Sequence, residues 1–257
     1  MIMTDKYPFF ETSSMDPFAA PIDIFKELKR GNIEAAKAKT VIRHLEVSSA
    51  LGDILLDIGN WLPFASKPYH ISAKLEDYVL VPVFTIPSDL PNRNGVGFPL
   101  KEMVKFSVES GTQAYKTFKG KPMHLEHANQ DPTIAKGVIA DVTLRKLTGY
   151  GDNKVWKMIE LMAVDRTKDP QLANAILTRE MNSYSMGALV GGYNCGLCDA
   201  AIGECAHIAK KEMRELVFRK HGNDLVYKKV RDFSGFETSA VKIPAYSVAV
   251  SDTLILV

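Results

Sequence analysis

A chain of 257 residues with 46% hydrophobic content can bury the core of one large domain, or of one domain with an appendage. A charged fraction of 24% and a formal net charge of +2 leave no electrostatic footprint for nucleic acid, and no apolar run is long enough to span a bilayer. Met1 to Pro8 lack the basic-then-apolar pattern of a secretory signal, so the chain reads as cytosolic.

The first 21 residues carry Pro8, Pro17 and Pro21 among Thr, Ser and Phe and read as an extended or poorly ordered arm. Helical spacing covers Ile22 to Leu28 and breaks at Gly31-Asn32. A long amphipathic stretch then runs from Ile33 to about Ile58, with Val41, Ile42, Leu45, Leu51, Ile54, Leu55 and Ile58 on one side. A boundary near Pro63 to Pro68 separates this N-terminal arm (1–65) from a second unit (66–257). There Tyr78 to Ile86 is a β-branched apolar run, and its Pro82 predicts an edge or a bulge. Pro91-Asn92-Arg93-Asn94-Gly95 is a loop. Pro99 opens a predicted helix through about Lys116, with Met103, Val104, Phe106 and Val108 inward. A strand is expected around His124 to His127. Ile134–Leu147 and Val155–Val164 form a predicted hairpin across Thr148-Gly149-Tyr150-Gly151. Asp169-Pro170 caps a short helix to about Arg179. Strands follow from the Ser183–Ser185 run through Val190, and over Phe236–Val241. No internal repeat is present.

Three parts of a serine acyl-transfer site lie far apart in this order. Ser185, in Tyr184-Ser185-Met186-Gly187, is a candidate nucleophile, and Gly187 would let the backbone approach a substrate carbonyl. Ser183 shares its face on a strand and is the rival. A serine hydroxyl needs a base, and His127 can accept its proton near neutral pH. On one strand His124 and His127 would point to opposite faces, so only one can meet Ser185. The place of His127 before Asn129-Gln130-Asp131-Pro132 and Gly137 favours it. The chain's three cysteines are clustered. Cys195-Gly196-Leu197-Cys198 followed by Cys205-Ala206-His207 offers four ligands for a closed tetrahedral site, which would be a structural zinc rather than a catalytic one. The single residue between Cys205 and His207 is shorter than the usual spacing, and plain thiols are the alternative.

Four of these pieces in this order resemble the prohead maturation serine proteases of tailed bacteriophages: Pro91 to Gly95 before a helix, His127 to Pro132 before Ala135-Lys136-Gly137-Val138-Ile139, Tyr184 to Gly187, and Phe236 to Ala245. The resemblance spans roughly residues 77 to 250. It implies an α+β fold similar to herpesvirus assembly protease, a small, mainly antiparallel β-barrel ringed by helices. It also implies an endopeptidase of scaffold/core and major capsid proteins, acting in the host cytoplasm inside the assembling prohead. No cofactor serves catalysis in such an enzyme. Cleavage would follow an acidic residue, self-cleavage is expected, and Asn32-Ile33-Glu34-Ala35 is a candidate site. The resemblance of Glu237-Thr238-Ser239 to the family's closing strand makes Glu237 the first choice for the third catalytic member, with Asp165 the runner-up.

Two other readings compete. A non-catalytic capsid-core or adaptor protein would use the helical arm for assembly, with the zinc loop as a folding staple. A metal-dependent hydrolase would recruit His124, Glu126 and His127, whose spacing does not match a helical His-Glu-x-x-His site. The amphipathic arm could pair with a second copy, giving a homo-oligomer. No nucleic-acid or membrane partner is expected.

Overall fold

The computed structural model describes residues 62–146 and 155–251 in full, and the backbone of two short strands at 9–12 and 255–256. The long amphipathic stretch, the candidate cleavage segment at 32–35 and the turn at 148–151 lie outside the described residues. In chain order the elements are β1 (Phe9–Thr12), α1 (62–69), β2 (Tyr78–Pro87), β3 (Val96–Gly97), α2 (Leu100–Met103), β4 (Phe106–Ser107), β5 (Thr112–Gln113), β6 (Pro122–Leu125), β7 (Gly137–Lys146) and β8 (Trp156–Asp165). Then come α3 (Pro170–Leu177), β9 (Tyr184–Cys195), β10 (Arg219–His221), β11 (Asp224–Val226), β12 (Lys228–Ala240) and β13 (Ile255–Leu256).

Nine of the strands form one sheet in the order β1-β9-β12-β6-β7-β8-β2-β13, with β3 also on β12. Pairing is antiparallel except where β12 meets β6 and β3. The class is therefore α+β, with a mixed, mostly antiparallel sheet and few helices among the described residues. Alternate residues of the strands converge on one core: Val79, Val81 and Val83 of β2, Met158 and Met162 of β8, and Met186, Ala188 and Val190 of β9. A smaller cluster on the opposite face includes Tyr78, Leu80, Val138 and Ala163, and Leu62 from α1 covers it. No helix among the described residues is long and apolar enough to cross a membrane.

The β7–β8 hairpin and α3 follow the sequence reading. Asp169 caps α3 by accepting the Leu172 N–H at 2.9 Å. Pro82, expected at an edge or a bulge, instead lies in a strand flanked by β8 and β13, opposite Leu161, and the irregularity of β2 falls between Phe84 and Pro87. Among the described residues no pairing on the β13 side is made between Leu80 and Val83. The long helix expected after Pro99 is not formed. α2 ends at Met103, and the chain turns back as a β4–β5 hairpin through Gly111, whose φ of 66° suits a residue without a Cβ. Only Met103 of the four expected inward residues is buried. Val104 and Phe106 are exposed, and Val108 is 90% exposed. A β-branched, aromatic run interrupted by Ser110-Gly111 favours extended chain over helix.

Candidate active site

Ser185 sits near the start of β9, where β12 runs antiparallel beside it. The register sets Ser185 opposite Ser239 and Gly187 opposite Glu237, so Ser185, Glu237 and Ser239 share one face of the sheet. An irregularity between Gly235 and Glu237 matters here. Upstream of it Phe233 points into the core, and simple alternation would send residue 237 there too. The extra residue inverts the phase, so that Thr238 and Ala240 turn inward and Glu237 turns out. Just upstream, Gly235 gives the core ring of Phe118 its seat: a Cβ at that position would lie 2.5 Å from the ring.

The histidine comes from a different device. β6 ends at Leu125, two residues short of the expected strand. Glu126 and His127 then adopt left-handed conformations, with φ of 49° and 55°. Each costs about 1–2 kcal/mol for a residue with a Cβ. Four bonds hold the turn: Ala128 N–H donates to Leu125 O at 3.0 Å, Glu126 N–H to Ala240 O at 2.9 Å, Lys242 N–H to the Glu126 carboxylate at 3.0 Å, and Asn129 N–H to His127 O at 2.8 Å. Through this turn the imidazole crosses to Ser185. His127 Nε2 lies 2.8 Å from Ser185 Oγ, and Nδ1 lies 2.7 Å from Glu237 Oε1. An ionised carboxylate only accepts, so it selects the tautomer with the proton on Nδ1 and leaves the Nε2 lone pair for the serine hydroxyl. Ser239 Oγ donates to the other oxygen, Glu237 Oε2, at 2.6 Å. Ser185 and Glu237 have no exposed surface, and the His127 side chain is 15% exposed.

The remaining sequence candidates fall elsewhere. Asp165 is buried at the end of β8, where it accepts from the backbone of Ser72, Thr167 and Lys168 and from the Thr167 hydroxyl; it caps a loop and is not part of the site. Ser183 bridges to Val250 through the backbone. His124 sits on β6 opposite Ser239, buried, and burial lowers its pKa below the ordinary imidazole value. Its Nδ1 has no partner among the described residues. Glu126 is spent on the turn. His124, Glu126 and His127 thus form no metal cluster, and the only such cluster found among the described residues is the cysteine one.

Comparison with family models, characterised proteins and solved structures finds no match.

Two polar residues of consequence escaped the sequence reading. Ser239 was readable: a Glu-x-Ser on a strand places both side chains on one face. Glu160 lies in the middle of the apolar β8, fully buried on the core side, with the Thr85 hydroxyl 3.3 Å from its Oε1. Burial first, and then the charge of Glu237, push its pKa up to about 8, against the opposing effect of the nearby Thr238 and Thr85 hydroxyls. A lone carboxylate between Ile159 and Leu161 was the available signal.

At the far end of β9 from Ser185, Cys195, Cys198, Cys205 and His207 bring their ligand atoms within 4.8 Å of one another. Cys195 Sγ is 3.7 Å from His207 Nδ1. That separation suits two corners of a tetrahedron around an ion bound at about 2.0–2.3 Å. The loop between the ligands is pinned by Cys195 N–H to Ala200 O and by Asp199 N–H to Cys195 O, at 2.8 and 2.9 Å. Burial raises the Cys195 pKa, opposed by N–H groups of Cys198 and Leu197. At Cys205 burial acts the same way, but N–H groups of Ile208 and His207 and the neighbouring thiols outweigh it and lower the pKa. These four residues could hold a metal ion.

Proposed function

We propose that this protein is a serine endopeptidase with Ser185 as nucleophile, His127 as general base and Glu237 as the acid that orients it. The single observation that carries the reading is the unbroken hydrogen-bonded chain from Ser185 Oγ through both ring nitrogens of His127 to Glu237, extended by Ser239. In the reaction, Ser185 Oγ attacks the peptide carbonyl carbon while its proton passes to Nε2. Glu237 stabilises the imidazolium, which then protonates the departing amine nitrogen as the C–N bond breaks. Water, activated by the same Nε2, hydrolyses the acyl-enzyme and restores the serine.

The resemblance to prohead maturation proteases gives this activity its setting: scaffold/core and major capsid proteins as substrates, inside an assembling prohead. The backbone bridges from Ser183 to Val250 and from Val83 to Ser251 support a rolled sheet of the barrel type, because residues 250 and 251 link the β9 end of the sheet to β2. The Cys/His cluster fits a structural zinc: all four positions would be protein ligands, so the ion would brace the lobe after β9 and take no part in the reaction.

The test is incubation of the purified protein with scaffold and capsid proteins, in parallel with Ser185→Ala, and labelling of both with a fluorophosphonate. Wild type should cleave and label, and Ser185→Ala should do neither, with a loss of about 10⁴-fold or more. Cleavage that survives in Ser185→Ala rejects the assignment. Failure of folded wild type to cleave or label favours the adaptor reading.

A further inference from the structure

A serine that is to attack a peptide must be reached by one, yet Ser185 has no exposed surface. Its strand has a neighbour on each edge. On one side is β12, thirteen residues long and part of the core. On the other edge two segments follow one another: residues 249–251 are bonded to Asn182–Tyr184, and beyond Ser185 lies β1, four residues drawn from the N-terminal stretch, far in sequence from the rest of the sheet. β1 runs antiparallel to β9, with Phe9 opposite Val190, Phe10 opposite Leu189, Glu11 opposite Ala188 and Thr12 opposite Gly187. An extended peptide continuing on that register would reach Ser185 two positions beyond Gly187, where the segment at 249–251 takes over the edge.

From this placement we infer that the edge of β9 is a receptor for extended peptide, and that the chain's own Phe9–Thr12 segment is its intramolecular occupant, a detachable strand that must leave before another polypeptide can lie beside Ser185. The inference rests on the hydrolase reading for its meaning, though not for its measurement. Strand addition recognises main-chain N–H and C=O groups, so a site of this kind accepts peptides of varied sequence and takes its selectivity from alternate side chains. It also resolves two features together. An uncovered β9 would be a bare edge beside the reactive group, open to pairing with any chain. A four-residue cover supplies few ladder bonds and is tethered to the same molecule, so it competes at high effective concentration yet can be displaced. A substrate crowded at high local concentration would displace it, which restricts attack to the place where substrate is dense.

The test uses the full chain. In Phe10→Pro/Glu11→Pro one of the two lost N–H donors faces β9, because successive backbone groups alternate sides. A fluorescein-labelled peptide of residues 5–16 is titrated by anisotropy into this variant and into wild type. The variant should bind about tenfold more tightly or better, because its internal competitor is weakened, and the same peptide carrying both prolines should bind neither. Equal binding to the two proteins, or binding of the proline peptide, overturns the inference. Wild type gives a second measurement should the variant fail to fold: excess peptide should speed hydrogen exchange of the amides of residues 9–12, and unchanged protection overturns it. Fluorophosphonate labelling separates the two claims. It should be faster in the double-proline variant, and an unchanged rate alongside tighter peptide binding would mean that β1 does not gate the serine. If Ser185 labels in no form, the hydrolase reading falls while the peptide titration still decides whether the edge is a receptor.

Discussion

The two ends of β9 carry two sites built on opposite plans. At the Ser185 end the partners lie 58 and 110 residues apart, for the serine–histidine and histidine–glutamate pairs respectively, and arrive from β9, β12 and the turn after β6. At the Cys195 end all four ligands lie between positions 195 and 207. The first site exists only when the sheet is assembled, because register sets its geometry. The second is a local loop, and a bound ion would contribute its own folding free energy. Damage to the first should therefore be felt in chemistry and damage to the second in stability.

The sharpest way to break this contrast is Glu237→Gln. It keeps the shape but lets His127 settle in the wrong tautomer, and cleavage should fall by about 10³-fold, equivalent to about 4 kcal/mol. Its melting temperature should change little by comparison; a loss of stability on that scale would make Glu237 a structural residue instead. At the other end, a strong chelator, or Cys195→Ser, should lower the melting temperature by about 10 °C, on the order of 3 kcal/mol. Fluorophosphonate labelling below the new midpoint should persist. Unchanged melting would leave plain thiols, and labelling lost without unfolding would give the metal a catalytic part.

Glu160 sharpens the comparison from the core side. Its pKa rises on folding from the ordinary carboxyl range to about 8, so between those values the folded chain holds a proton that the unfolded chain has released. Stability contributed this way is full below the unfolded pKa and declines as pH rises to about 8, by up to about 1.4 kcal/mol per pH unit. Glu160→Gln should escape that decline, and its melting temperature should gain on the order of 10 °C on wild type between pH 5 and pH 8. A constant difference across that range would show that Glu160 does not titrate there. The smallest effect is expected from Ser239→Ala, which removes one donor from Glu237 and should reduce cleavage about tenfold, or about 1.4 kcal/mol, without moving the melting temperature appreciably.

Which parts could be read in advance follows from the same contrast. The cysteine spacing announced its site because ligands and loop are adjacent in sequence. The β7–β8 hairpin and α3 were legible from alternation and from Asp169-Pro170. The residue types of the distributed site were legible, but its assembly was not. Two left-handed residues after Leu125 and one extra residue before Glu237 decide where His127 and Glu237 point, and neither leaves a mark on periodicity. Asp165, the runner-up to Glu237 on sequence, has its oxygens claimed by the loop after β8 and by Ser72. The failed helix after Pro99 shows local composition winning over a helical spacing that had no apolar surface to cover.

The turn that delivers His127 is bonded to the very strand that carries Glu237: Ala240 accepts from Glu126, and Lys242 donates to it. The proposed base and acid therefore ride on one piece of scaffold, while the proposed nucleophile rides on another. When the seam between β9 and β12 breathes, the imidazole stays with its carboxylate and only the serine drifts away. Idle molecules of this protein should accordingly keep a preformed hydrogen-bonded pair in waiting, and returning to work asks for a single sliding adjustment rather than the reassembly of three parts.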